Sequence, residues 1–400
     1  MTRFRGDLME KLTRAVLVGA GGFGAKHGKN LLDGLVPGIR LVAIVDPYAN
    51  ASPIYDLFKN SIPVYDRLED FYAADNRADL VFVSTPHFLH YEHCLAALKG
   101  GSHVLCEKPL VPDLETLNRL ETEVAASGKT LSVGFQWCCS SVIRAVKGRI
   151  MAGEFGKPVL FKSYTTWPRA WKYYRRNGWA GRIMTEDGQL VRDAIISNAT
   201  SHHLQTMLFL LGGSMEDSAR LDDAAIETYR ANDIESFDTC VLRGNAGGAT
   251  VFYAATHSTN YHLHYPIMRF ELEKATITIS LNDKEGTCLI HHRDGRVEDL
   301  GNVVRDSAAN SLAFAAAAAH GEGAVACSIQ TVRPFTELME AIFNRLDIHN
   351  FPARDIYVDP VEECTYVPYL HMELAECFNQ GKLPSEMGFA WAKPPTLLHM

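Results

Sequence analysis

Three glycines in the run Gly19-Ala20-Gly21-Gly22-Phe23-Gly24 fit the spacing G-x-G-x-x-G, directly after the apolar run Ala15-Val16-Leu17-Val18. A dinucleotide pyrophosphate calls for this pattern. Gly19 permits the tight turn, Gly21 lets the main chain approach the anion with no side chain in the way, and Gly24 lets the following helix lie close to the strand. The helix N-terminus adds unpaired N–H groups and positive dipole density, with Gly22 and Phe23 completing the cradle. A second apolar run, Leu41–Val45, ends in Asp46, about twenty residues on, where a carboxylate accepts hydrogen bonds from an adenosine ribose. The same carboxylate repels a 2′-phosphate, and Pro47 and Tyr48 supply no cation to hold one. The spacing therefore predicts an NAD site, with NADP disfavoured.

These residues need a parallel sheet beneath them. Short apolar strands at Ala15–Val18, Leu41–Val45, Leu80–Val83 and His103–Leu105 alternate with helical patterns, as in a sheet covered on both faces. The clearest helix runs from Asp113, a plausible N-cap, through Leu114, Leu117, Leu120 and Val124 to Gly128. Near Gly134 the pattern changes. A helix through Val142, Val146 and Ile150 leads to the turn Gly153–Pro158, and later segments such as Ala249–Ala254 and Met268–Ile279 alternate apolar with polar residues, which suits an antiparallel sheet packed on one face. The expected fold is α/β: a Rossmann domain with a doubly wound parallel sheet over 1–135, then an α+β domain over 136–400. Ala315–Ala319 is expected to be a small-residue helix, and Cys364–Gln380 a helix before an extended tail.

The fourth strand continues as Val104-Leu105-Cys106-Glu107-Lys108-Pro109, and the strand before it ends in Ser84-Thr85-Pro86. With the glycine turn, the His87–Leu98 region, Gly134-Phe135-Gln136 and the Gly153–Pro158 turn, the chain resembles the Gfo/Idh/MocA oxidoreductases from Val16 to about Ile342. That resemblance implies a second domain with an open, predominantly antiparallel sheet used for pairing into a homo-oligomer. It also implies a substrate pocket between the domains at the nicotinamide. Cofactor contacts are then expected from Thr85, Pro86, His90, Glu107, Lys108 and Gln136 as well as the turn and Asp46. Lys108 is expected to hydrogen-bond the reacting hydroxyl. It also stands just beyond a parallel strand's carboxyl end, where such sheets bind ligands.

Relatives usually carry an aspartate and a histidine four residues apart at the start of a helix facing the nicotinamide. The matching segment here is Ile196-Ser197-Asn198-Ala199-Thr200-Ser201-His202-His203. His202 is expected to exchange the hydroxyl proton, since an imidazole titrates near neutrality. Asn198 stands where the aspartate is usual and can orient but adds no charge. Residues four apart share a helical face. His203 is expected to be structural. The stretch Trp167–Arg182 is crowded with aromatics and arginines, and Trp167, Arg169, Trp179 and Arg182 are candidate contacts for a sugar or polyol.

Three readings stay open: an NAD(H)-dependent dehydrogenase or reductase acting on a secondary hydroxyl or carbonyl of a sugar, cyclitol or related polyol; an enzyme that recycles tightly bound NAD for elimination or glycoside cleavage; or a non-catalytic NAD-binding sensor. Bulk properties narrow the other classes. A net charge of −8 over 400 residues leaves no basic face for nucleic acid, and no apolar run reaches the length of a membrane span. The N-terminal stretch MTRFRGDLMEKLTRAVLVGAGG sets basic residues before an apolar run as a secretion signal does, but that run is too short, leads straight into the glycines and is followed by no small-residue cleavage site. Nine cysteines without repeating spacing suggest buried thiols in a reducing cytoplasm. No metal is expected: His262, His264, His202, His203, His291, His292 and Asp193 are potential ligands, but adjacent or alternating strand histidines diverge.

Overall fold

The computed structural model describes residues 12–262, 267–280, 286–345 and 347–400. The N-terminal stretch before Leu12 and His264 lie outside them. The described residues form two compact units, one running to Cys139 and including Asp306–Ile329, the other comprising Ser140–Arg305 and Gln330–Met400.

In the first unit, apolar strands buried on both faces build a parallel sheet. Strands β1 (Thr13–Val18), β2 (Ile39–Val45), β3 (Val64–Tyr65), β4 (Leu80–Val83), β5 (His103–Cys106) and β6 (Leu131–Val133) lie in the order β3-β2-β1-β4-β5-β6. Helices α1 (Gly22–Leu32), α2 (Tyr55–Phe58), α3 (Leu68–Ala73), α4 (His90–Lys99) and α5 (Leu114–Ser127) connect them. The chain moves outward from β1 to β3 and crosses back to β4, so strand order reverses between β1 and β4. The Asp113 cap is present, its carboxylate accepting from the Thr116 N–H at 2.7 Å, and Gly128 ends α5 at φ +65°.

The expected boundary assigns everything after 135 to the second domain. Instead, 306–329 returns to the first unit, because α9 (Ser307–Ala319) buries Leu312, Ala315 and Ala316 in the apolar cluster of Leu17, Leu80 and Phe82. Small side chains let that helix pack closely.

The second unit contains α6 (Ser141–Met151), β7 (Pro158–Thr166), α7 (Trp171–Arg175), α8 (Ser201–Leu210), β8 (Leu221–Arg230), β9 (Thr239–Ala246), β10 (Ala249–Thr256), β11 (Ile267–Leu272), β12 (Ala275–Ser280), β13 (Cys288–His292) and β14 (Val297–Asp299). After α10 (Ile329–Asn344) come β15 (Ile348–Asn350), β16 (Tyr357–Asp359), β17 (Cys364–Tyr366), α11 (Leu370–Gln380), α12 (Pro384–Met387) and β18 (Thr396–His399). The large sheet runs β14-β13-β12-β11-β7-β10-β9-β8-β15, with β18 also on β8. It is antiparallel except at β7–β10 and β8–β15, so its expected antiparallel character is borne out.

The expected alternation holds in β11, where Met268, Phe270 and Leu272 are buried and alternate with exposed Ile267 and Arg269 and half-buried Glu271. It fails in β10, which lies mid-sheet and is buried almost throughout, with Phe252 and Ala254 packed against Leu370, Leu374 and Phe378 of α11. The helix expected over Cys364–Gln380 begins only at Leu370; Cys364–Tyr366 pairs with β16 instead. No described helix is long and apolar enough to cross a membrane. All nine cysteines are free thiols, buried except for Cys364.

Candidate functional site

Strands β1, β4 and β5 end in register, with Val18 opposite Val83 and Val83 opposite Cys106. The segments after them, Gly19–Gly24, Ser84–Pro86 and Glu107–Pro109, therefore share one edge of the sheet, at the reversal of strand order where open α/β sheets bind ligands. Gly19 takes φ +87°, and a Cβ there would meet the Ser84 carbonyl oxygen at 2.8 Å. A Cβ on Gly24 would lie 2.0 Å from the Gly19 oxygen, so only glycine lets α1 come this close. At Gly21 a Cβ would meet nothing within 4 Å, so the main chain there faces open space, and no side chain caps α1.

Asp46 holds this turn. One carboxylate oxygen accepts from the Ala20 N–H and the other from the Tyr48 N–H, each at 2.8 Å. A carboxylate oxygen has two lone pairs, so both retain capacity toward a ribose.

Glu107 is buried. Its Oε1 accepts from Gln136 Nε2 at 2.9 Å and lies 3.2 Å from His27 Nε2, while Oε2 accepts from the Lys108 N–H at 3.3 Å. His27, on α1, sits edge-on between Phe23 and Phe82. Glu107 thus fastens α1, the end of β5 and Gln136 together, turning Glu107 and Gln136 inward and leaving half-buried Lys108 as the motif's more accessible side chain. His27 was missed in the sequence; its signal was a polar residue three positions after Gly24, on the helix face that must pack inward.

His90 bridges two strand ends. Its Nε2 lies 2.9 Å from the Thr85 carbonyl oxygen and its Nδ1 2.9 Å from that of Pro109. Both partners are acceptors, so a neutral ring can donate to only one of them. Burial, reinforced by His87, pushes the His90 pKa down to about 4. The Thr85 hydroxyl lies 3.1 Å from His93 Nδ1.

In the second unit the four-residue spacing predicts one helical face for Asn198 and His202. The structure differs. Asn198 lies in a π-helical turn, Ile195–Ala199; Thr200, at φ −115° and ψ 16°, interrupts; and His202 follows on α8. The Thr200 hydroxyl donates to the Ile195 carbonyl at 2.7 Å and meets the Tyr253 hydroxyl, which fixes the break.

The Asn198 amide donates to Asp193 Oδ1 at 2.7 Å, and the other oxygen of this buried carboxylate accepts from the Gly181 N–H at 2.7 Å. A carboxylate therefore stands one hydrogen bond behind Asn198. His202 is half-buried. His203 is buried, with Nδ1 2.8 Å from the Thr165 hydroxyl and 3.2 Å from that of Ser163, and burial lowers its pKa to about 3.

Trp167 follows β7 and packs edge-on to His203, with ring centroids 5.9 Å apart. The Arg169 guanidinium lies over the Trp167 and Tyr173 rings. Arg182 borders a cavity of ≈ 660 Å³ that does not include Trp167, Arg169 or Trp179 in its wall. Trp179 has the Arg176 guanidinium over its ring. Among the described residues no three His, Cys, Asp or Glu gather where they could hold a metal.

Residues 13–135 match the Gfo/Idh/MocA family, described as oxidoreductase family, NAD-binding Rossmann fold. A scyllo-inositol 2-dehydrogenase (NAD(+)) of Bacillus subtilis is 31% identical over 159 residues, 39% of this chain and 45% of the relative. An inositol 2-dehydrogenase of Rubrobacter xylanophilus is 30% identical over 216 residues, 53% of this chain and 56% of the relative. The chain thus spans about half the length of the curated relatives it matches. An inositol dehydrogenase homologue from Azotobacter vinelandii, solved with NADH and myo-inositol, shares the fold at a TM-score of 0.64 and 17% identity, covering 83% of this chain and 95% of that one. The resemblance read from the glycine turn and the Glu-Lys-Pro motif is borne out.

Proposed function

We propose, from the premise that residues 13–135 belong to the Gfo/Idh/MocA oxidoreductase family, that this protein transfers hydride between NAD(H) and a secondary hydroxyl or carbonyl of a sugar, cyclitol or related polyol. The observation that carries the reading is the turn Gly19–Gly24 clamped by Asp46 at the switch between β1 and β4. Its open face at Gly21 and uncapped helix end suit a pyrophosphate, and the Asp46 carboxylate suits an unphosphorylated ribose. Bound NAD(H) supplies the hydride acceptor or donor.

The side chains supply the rest. Lys108 hydrogen-bonds the reacting oxygen and stabilises negative charge on it; His202 exchanges the proton, taking it during alcohol oxidation and returning it in reduction. Asn198 orients substrate or ring while Asp193 holds its amide. Thr85, Pro86 and His90 shape the nicotinamide side, and Glu107 and Gln136 act from behind by fixing the Lys108 main chain. The inositol 2-dehydrogenases among the relatives support a polyol substrate. The free thiols suit a reducing cytoplasm, and the family resemblance supports a homo-oligomer, which light scattering on the purified protein tests.

The decisive experiment is titration with NAD followed by absorbance of the reduced nicotinamide over a panel of cyclitols and sugars. Lys108→Ala and His202→Ala are each expected to lower kcat by about 10²–10⁴-fold with NAD affinity retained. Failure to bind NAD overturns the proposal, as does full activity in both variants.

A further inference from the structure

The segment Trp167–Arg182 carries five cations, Arg169, Lys172, Arg175, Arg176 and Arg182, and no acid, in a chain whose net charge is −8. Of the five, Arg182 alone makes an ion pair among the described residues, with Glu186 at 3.1 Å. Arg175 shares a cavity wall with Asp233 and Glu235, where charge is balanced. Arg169 and Arg176 stand elsewhere. Both lie over the Tyr173 ring, their guanidinium carbons 4.6 and 3.6 Å from its centroid. Arg169 Nε is sealed inside the protein, but Nη2 has no partner among the described residues and is not enclosed.

His257 packs on the same Tyr173 ring, with centroids 5.8 Å apart, and is only 3% exposed. Its Nδ1 lies 2.7 Å from the Trp167 carbonyl oxygen, which can only accept, so Nδ1 carries the ring's proton. Burial, reinforced by Arg169 and Arg176, lowers the His257 pKa well below its ordinary value, so the ring is neutral and Nε2 presents a lone pair. That nitrogen has no partner among the described residues and is not enclosed either. Two buried carboxylates, Asp193 and Asp238, act on neighbouring Tyr174, but both are committed: Asp193 accepts from Gly181 and Asn198, and Asp238 from Asn232 and Thr239.

This cluster adjoins the residues given proton and positioning roles above. Trp167 packs edge-on to His203, the neighbour of His202 in sequence. Tyr173, His257 and Asp193 line one small void, and Asp193 holds Asn198.

The donor set selects its ligand. Two guanidiniums without an acid partner favour an anion, and one of them, stacked and half-buried, is already oriented to donate to a planar carboxylate. A fixed lone pair beside them repels a further anionic oxygen and accepts a hydroxyl instead. A phosphate surrounds itself with acceptor oxygens, which that lone pair opposes. A carboxylate with a hydroxyl close by satisfies both groups.

We propose that the substrate is a sugar acid, an aldonate or uronate, whose carboxylate is bound by Arg169 and Arg176 and whose neighbouring hydroxyl donates to His257 Nε2. This narrows the polyol of the dehydrogenase reading and rests on that reading for turnover; the binding preference does not.

The test is calorimetric titration of the full chain, with NADH to block oxidation and again without it, using pairs that differ at the carboxylate: glucuronate and glucose, galacturonate and galactose, gluconate and glucitol. In at least one pair the acid is expected to bind about tenfold more tightly, the scale of one charge-assisted hydrogen bond. Arg169→Gln is expected to bring that ratio close to one, and Arg176→Gln, at an exposed position, to lower it about threefold. Circular dichroism checks that both variants fold, and Arg176→Gln decides alone if Arg169→Gln does not. Acids that bind no more tightly than their neutral counterparts, tighter binding of glucose 6-phosphate than of any acid, or an unchanged ratio in the folded variants each overturns the proposal. Acid-selective binding with no reduced nicotinamide formed from NAD and any of the acids sinks the dehydrogenase reading and leaves the acid preference standing.

Discussion

The first unit makes its candidate site from main chain, the second from side chains. In the first, Gly19, Gly21 and Gly24 bring backbone to the place where an anion is expected, Asp46 holds that turn through the Ala20 N–H, and His90 ties the segments after β4 and β5 together through the Thr85 and Pro109 carbonyls. In the second, Asp193, Asn198 and His203 are held by contacts among side chains and turns far apart in sequence, such as Gly181 with Asp193 and Thr165 with His203. Backbone sites tolerate little change at glycine. Side-chain sites can be adjusted one hydrogen bond at a time.

That contrast breaks first at Gly24. Gly24→Ala places a Cβ where the Gly19 carbonyl oxygen lies 2.0 Å away, and neither group is a flexible side-chain end. The expected result is a loss of about 3 kcal/mol in stability, as for overpacking a tight contact, and at least about 100-fold weaker NAD binding. Calorimetry measures both. Near-native NAD affinity in Gly24→Ala would mean the turn is not the cradle.

Acid sharpens the comparison next. Burial holds His90 at a pKa of about 4 and His203 at about 3, and it lowers His257 well below its ordinary value. An unfolded histidine takes up a proton near pH 6.5. As pH falls from about 6.5 toward 4 the unfolded chain therefore binds more protons than the folded one, and stability falls with it. The loss at pH 5 is about 2 kcal/mol for each of His90 and His203, from the difference in protonation. His257 adds to it in the second unit, which is expected to lose hydrogen-exchange protection first on going from pH 7.5 to 5. Equal loss in both units would erase this difference.

The same contrast explains what was legible in the sequence. Main-chain sites leave a mark because they need glycine at fixed spacing, so Gly19, Gly21, Gly24 and the clamping Asp46 could be found before any fold was known. The cap at Asp113 and the parallel sheet were legible for a similar local reason. Pairings made by tertiary contact leave no such mark. Nothing near Asp193 in sequence reveals that its partners are Gly181 and Asn198, and it was weighed only as a metal ligand. The break at Thr200 depends on Tyr253, and the return of 306–329 to the first unit depends on alanines that any helix could carry.

Asp193→Asn tests the side-chain half. An amide in place of the carboxylate cannot accept from Gly181 and Asn198 through both positions, because one becomes an NH₂ group facing a donor. On the dehydrogenase reading, kcat is expected to fall about 10–100-fold with a modest change in KM, at a stability cost of about 1–3 kcal/mol for the donor left unpaired. Unchanged kcat in a folded Asp193→Asn protein would remove Asp193 from the positioning of Asn198.

The smallest expected effect tests whether Asp46 does more than hold the turn. Its carboxylate both accepts the Ala20 and Tyr48 N–H groups and supplies the charge that disfavours a 2′-phosphate. Asp46→Asn keeps one acceptor oxygen and the side chain's shape but removes the charge. If Asp46 only braced the loop, NAD and NADP would weaken by the same factor, since both share the pyrophosphate cradle. With the carboxylate also reading the ribose, NAD affinity falls while NADP loses a repulsion, and the ratio of their dissociation constants shifts toward NADP by about tenfold. Titrating each cofactor into the variant separates the two, because a loosened turn changes both constants and leaves their ratio where it was.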